Sequence, residues 1–370
     1  MPLPRDIIYL PILAVRPSEM AALHELPEKD KDLLLPAIQL QPWLSAKEFE
    51  KAIDRVVSAF GSNRPWIANL NQEYTGPKSG ADRLAIDDFY KLRLPKGGYA
   101  NWCAFIEDHR QLIPTVQMED ISQFETQSTR LAGFGRGLVL HLSANTTLAD
   151  AQLSHLASVC DPANVIVIAD CGELANRLEF NLVINEWSGV FDRISKHLPS
   201  CRIALSSTSF PHSFDGGEVN QQIRLLSQDI RERQLFNVAA ASAPARPRGI
   251  TPWNLIYSDR GSVRIARHGG GGSPYPRIDY PTNSQWYSFR YEVRDGDYQQ
   301  VAKAAIGSPC WNKNLRLWGT QMIERTAGGD ETAISSPGRS TAVRINIHLH
   351  QQLFYSQPDD LLATDDVWVD

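Results

Sequence analysis

Five titratable residues, Glu73, Glu119, His141, Asp170 and Asp259, lie at or just beyond the ends of short apolar runs in this chain. Carboxylates gathered in one place can hold a divalent cation through oxygen ligands, or divide into a general acid and a general base. An imidazole among them can act as base or ligand. Gln39, Gln41, Asn69, Asn71, Gln117, Ser143, Glu173 and residues 206–208 end the same runs and would share their surroundings. Each chemical residue also has a plainer use. Glu119 in a first helical turn favours the helix dipole, Asp170 caps a strand end, and a lone histidine such as His141 serves equally well hydrogen-bonded in a core.

A second set is built for binding. Arg264, Arg267, Arg277 and Arg290 interleave with Tyr275, Tyr280, Trp286 and Tyr287, a composition that suits aromatic stacking on bases and guanidinium contact with phosphates. The same composition suits an amphipathic hairpin that packs its aromatics inward. His348 and His350 share a face if their segment is a strand and point apart if it is a helix. They lack a third ligand at readable spacing, so no metal is assigned. The expected binding residues are Asn71, Arg277, Trp286, Arg290, His348 and His350. HGGGG at 268–272 reads as a connector, because no helix start or Lys-Ser/Thr pair follows it. No GxSxG elbow, HExxH, EF-hand loop or kinase set is present, and the sequence identifies no cofactor.

The elements that must position these groups follow from the apolar pattern. GLVLHLS and NVIVIAD, separated by a segment with Leu148, Leu153, Leu156 and Val159 at helical spacing, form a strand-helix-strand unit between 137 and 170. Apolar runs without polar alternation suit strands buried on both faces of a parallel sheet. Similar strands are expected at 8–15, 33–40, 65–71, 112–118, 201–208 and 254–259. Helices are expected after Pro17, over 46–60 behind a Ser45 cap, near 82–92 and 100–110, and over 119–134, 174–198, 220–236 and 296–306. Eight alternations without a Rossmann glycine fingerprint predict a (β/α)8 TIM-barrel-like domain over 5–262. The period then changes, which predicts a C-terminal α+β appendage over 263–358 closing one end, followed by an acidic tail over 359–370. The 40 residues after the third strand make a long excursion on the side where active-site lids occur.

Composition narrows the function class. The chain has 370 residues, 42% hydrophobic and 21% charged, enough for a large core and too little charge for disorder. A formal net charge of -5 argues against bulk electrostatic attraction to nucleic acid, while leaving room for a local basic cleft. The opening MPLPRDIIYLPILAV is expected to be the first strand and not a signal peptide, and no run reaches the roughly 18 apolar residues of a membrane span. Five cysteines form no CxxC pair, which predicts reduced thiols and a cytoplasmic location.

The opening YLPILAV, MAALHEL and LLLPAIQL resembles the start of the beta family proteins of phages and bacterial defence loci. IYSDRGS at 256–262 is similar to that family's late G-D-Y-G-type element, and GRSTAVRINIHLHQQL at 338–353 resembles its terminal element. This sequence has His348-Leu349-His350 in place of adjacent histidines, and Ser258-Asp259-Arg260 in place of G-D-Y. The resemblance implies a barrel-like domain in a phage or antiviral setting, where the chain senses or binds a phage component, nucleic acid or a partner protein. A phosphodiester-cleaving hydrolase using Glu73, Glu119, His141, Asp170 and Asp259 is the alternative.

Overall fold

The computed structural model describes residues 3, 4, 6–76, 83–143, 146, 148–174, 176, 179–211, 217–220, 222–242, 253–262, 275–293, 296–357, 361, 362 and 364. In chain order the strands are β1 (Tyr9–Ala14), β2 (Ala37–Leu40), β3 (Trp66–Leu70), β4 (Leu112–Val116), β5 (Leu138–Ser143), β6 (Val165–Glu173), β7 (Arg202–Thr208), β8 (Glu218–Asn220), β9 (Ile223–Asp229), β10 (Asn254–Asp259), β11 (Arg277–Pro281) and β12 (Gln285–Tyr291). The chain divides into two compact units. One holds residues 1–15, 34–208 and 232–260, the other residues 16–33, 209–231 and 261–370.

The first unit is the expected TIM-barrel-like fold. Its strands close in the order β1-β10-β7-β6-β5-β4-β3-β2, each parallel to its neighbours. Side chains alternate between the two faces of each strand. Leu10, Ile12, Ala37, Ile67, Ile113, Val139, Ile166, Ile168, Ala204 and Ile256 pack together as one buried cluster, which marks the inward positions. This is a filled barrel interior, and truncating a residue such as Ile168 to Ala costs about 2–5 kcal/mol. The same alternation, continued towards the C-terminal ends, turns Gln39, Asn69, Thr115, Gln117, His141, Asp170, Ser206, Ser258 and Arg260 inward.

The second unit is built on an antiparallel sheet, β11-β12-β9-β8, with the helix Pro337–Leu353 across it. That helix also packs on Pro17–His24, where Asn346 Nδ2 donates to the Ala22 carbonyl at 3.2 Å and Ser18 Oγ to the Gly338 carbonyl at 3.0 Å.

Two local expectations are corrected, and one alternative that the sequence leaves open is decided. Residues 218–220 and 223–229 form β8 and β9, and the helix begins later, at Arg231–Ser242. β9 takes its conformation from pairing along the whole of β12, from Ile223↔Tyr291 to Asp229↔Gln285, a tertiary contact that overrides local pattern. Ser45 has a left-handed φ of 61° and the next helix starts at Glu50, without a Ser45 cap. The IHLHQQLFY segment lies mostly in the helix Pro337–Leu353, so His348 and His350 point apart. From Ala342 to Leu353 that helix is buried at every position, and it therefore shows no amphipathic stripe.

All five cysteines are free thiols, and burial raises the Cys201 thiol to about 12. No helix among the described residues is long and apolar enough to cross a membrane.

The candidate binding site at the barrel mouth

The inward polar residues at the strand ends open on a cleft of about 320 Å³. Gln39, Asn69, Thr115, Gln117, His141, Asp170 and Arg260 line it, with Gln72, Glu73, Glu119, Ser143 and Thr146 around them. Its centre is a chain of polar contacts running across four strands. Asn69 Nδ2 lies 2.7 Å from His141 Nδ1, and His141 Nε2 lies 3.3 Å from Asp170 Oδ2. Arg260 Nη2 donates to the same Asp170 oxygen at 2.5 Å, and its Nη1 donates to Glu73 Oε1 at 3.1 Å.

This geometry fixes the charges. Burial alone would raise the Asp170 carboxyl, but the His141 hydrogen bond and the Arg260 charge more than offset it and hold it well below the usual carboxylate range. Burial would likewise weaken the Arg260 guanidinium, and the Asp170 and Glu73 charges reverse that, leaving it raised. Asp170 is therefore an anion locked to a cation. Both ring nitrogens of His141 are engaged whichever way the Asn69 amide faces, which leaves no imidazole lone pair directed into the cleft. Among the described residues, no three His, Cys, Asp or Glu side chains are grouped to hold a metal ion.

The rim is held by backbone devices. Asn71 Oδ1 accepts from the Glu73 amide at 3.0 Å and its Nδ2 donates to Gln41 Oε1 at 2.7 Å, so Asn71 shapes the loop that carries Glu73. Gly97, Gly98 and Tyr99 all have left-handed φ, the last at 55°, a strained value for a tyrosine. A Cβ at Gly98 would sit 2.6 Å from Thr126 Cγ2. The turn brings Tyr99 Oη to accept from the Asp120 amide at 2.7 Å, next to Glu119, which pairs with Arg93.

Of the residues expected to carry chemistry, Glu73, Glu119, His141 and Asp170 come together here. Asp259 does not. It lies on the outward face of β10, 1% exposed, accepting from Tyr9 Oη at 2.5 Å and Tyr257 Oη at 2.7 Å. Burial first, then the Asp259 charge, pushes both phenols well above their usual value and keeps them donors. Arg233 covers Tyr257 with its Cζ 3.3 Å from the ring centre. The strand period that turns Ile256 inward selects Ser258 and Arg260, and Arg260 is the residue that sequence reasoning missed.

In the second unit, Arg277 and Arg290 line a separate cavity. Trp286, His348 and His350 are removed from the binding set, because they are sealed in that unit's core. Trp286 is 1% exposed, stacked on His348 at 4.7 Å between ring centres and edge-on to Phe210. His350 is fully buried, with Nδ1 2.6 Å from Asp30 Oδ2 and Nε2 2.9 Å from the Leu361 carbonyl. Arg264, Arg267 and residues 268–272 lie outside the described residues.

The comparisons agree with the resemblance in the sequence. Protein beta of Enterobacteria phage P4 is 27% identical over 358 residues, covering 94% of each chain. The profile of the Beta protein family matches residues 9–354. With nearly the whole chain matched, from β1 to the end of the helix Pro337–Leu353, this protein belongs to the Beta protein family.

Proposed function

We propose that this phage-associated chain is a recognition protein, whose barrel mouth binds a small polar ligand, or a polar group of a larger phage component or partner, in antiviral immunity. One observation carries the reading. Thr115 Oγ1, Gln117 Nε2 and Arg260 Nε are buried on the cleft without a hydrogen-bond partner among the described residues. Leaving such atoms unpaired costs about 1–3 kcal/mol each, and a ligand that reaches all three recovers that cost on binding. The cleft volume of about 320 Å³ lies at the small end of the range for small-molecule sites, about 300–1,000 Å³. Its lining brings Glu73, Glu119 and Asp170 against Arg260, which favours a neutral or cationic ligand over a phosphate.

The hydrolase reading is weaker on the same geometry. Asp170 is held by Arg260, and His141 has both nitrogens occupied, so acid-base work would first require that network to open.

The test is phage challenge of cells carrying the gene in its native neighbourhood. Recognition predicts loss of protection in Thr115→Val with Gln117→Leu, and protection weakened but not abolished in Glu73→Gln with Glu119→Gln. Protection lost only in the glutamate variant would replace recognition with carboxylate chemistry. Wild type that gives no protection in that setting would remove the antiviral role.

A further inference from the structure

β11 and β12 place Arg277 and Arg290 directly opposite each other, as cross-strand partners on one face of the sheet. Like charges in that position repel, and carboxylates or a bound anion must offset them. The helix Pro337–Leu353 crosses the same face with Ser340, Arg344 and His348 at four-residue spacing. His348 stacks on Trp286, and Arg344 Nη1 donates to Asp279 Oδ2 at 2.8 Å. Ser340 Oγ donates to the Arg277 carbonyl at 2.5 Å. The face thus changes along its length from apolar to cationic.

At the cationic end is a cavity of about 200 Å³, lined by Tyr275, Arg277, Arg290, Tyr298, Ser340 and Thr341. Among the described residues, every charged side chain on that lining is positive. The carboxylates that orient the two arginines are not part of it. Arg277 Nε is 3.1 Å from Asp279 Oδ2, and Arg290 Nη2 is 3.0 Å from Glu292 Oε1. Asp279 is also bonded by Ser288 Oγ at 2.6 Å, and Glu292 also takes Arg224 at 2.8 Å. Both guanidiniums are therefore held in place before anything binds, which reduces the ordering cost of binding. Arg290 is further steadied over Tyr275, with its Cζ 5.4 Å from the ring centre.

We infer that this cavity is a phosphate-binding site on the second unit, and that it takes the terminal phosphoryl group of a small molecule such as a nucleoside monophosphate. Two guanidiniums match a dianion, and the surrounding tyrosine, serine and threonine hydroxyls suit a tetrahedral group with three terminal oxygens. A carboxylate offers fewer acceptors. The small volume and the chain's net charge of -5 favour a terminal phosphate over the phosphodiesters of a long polynucleotide. The inference stands on residues that take no part in the barrel mouth.

The test is calorimetric titration of the full chain with inorganic phosphate, with adenosine monophosphate, and with an oligonucleotide lacking terminal phosphates. Both phosphate probes are expected to bind in competition, and Arg290→Gln to weaken them by about tenfold or more. Tyr298→Phe, which removes one hydroxyl, is expected to weaken them by about threefold to tenfold with the melting temperature unchanged. Arg290→Gln is checked by its melting curve, and Tyr298→Phe carries the test if that variant does not fold. Absence of phosphate binding at millimolar concentration, or affinity indifferent to both substitutions, would overturn the proposal. So would an oligonucleotide that binds as tightly as the monophosphate, which would make the site a backbone contact for nucleic acid.

Discussion

Asp170 and Asp259 stand near the C-terminal ends of two strands of one barrel, β6 and β10, and differ in which face they occupy. Asp170 turns inward, meets His141 and Arg260, and borders a cleft. Asp259 turns outward and is enclosed by Tyr9 and Tyr257 beneath Arg233. Both are buried acids with satisfied charges, 7% and 1% exposed, so burial and residue type do not separate a site residue from a structural one. Strand parity does. The inward set inherits the mouth, and the outward set knits the strands to the layer around them.

Removing the cation of the inward pair should have the largest effect. Arg260→Met leaves Asp170 buried without its countercharge and is expected to lower unfolding free energy by about 3–5 kcal/mol in urea denaturation. Adding Asp170→Leu to that variant should recover most of the loss, because the unpaired charge goes with it. Asp259→Ala removes the acceptor of two tyrosine hydroxyls and is expected to cost about 3 kcal/mol, while leaving any mouth ligand's affinity unchanged. Reduced ligand affinity in a folded Asp259→Ala protein would erase the distinction between the two faces.

The pH dependence sharpens the same contrast. Asp170 has a folded-state pKa below its unfolded value, since His141 and Arg260 more than offset the burial that would raise it. Its contribution is complete above the ordinary carboxylate pKa of about 4 and is lost as pH falls through the lower folded value. Stability measured from about pH 5 downward should therefore fall less steeply in Asp170→Asn than in wild type. The smallest effect belongs to Glu119, 41% exposed at the rim, where Glu119→Gln is expected to change stability by less than about 0.5 kcal/mol.

The barrel was legible in the sequence because strands buried on both faces read as uninterrupted apolar runs, and the eight runs alternate with helices. Four of the five candidate chemical residues were legible at the mouth for the same reason. Asp259 was misjudged because an apolar run does not reveal which face its polar ending takes. The inward position of Ile256 settles this, and with it Arg260. The second unit hid more. R-I-N-I-H-L-H alternates polar with apolar as a strand does, yet lies in a helix buried all round, where Asn346, His348 and His350 find partners on other segments. β9 owes its conformation to β12, some sixty residues away, and local pattern does not carry that information.

Recognition of a ligand by the inward polar atoms of the mouth, as we propose it, can be checked on the isolated protein. The measurement is native mass spectrometry of the protein isolated from phage-infected cells, comparing wild type with Thr115→Val, Gln117→Leu. Wild type should carry a bound small molecule that is missing from the variant, with both proteins folded. Identical mass spectra for the two proteins would contradict it.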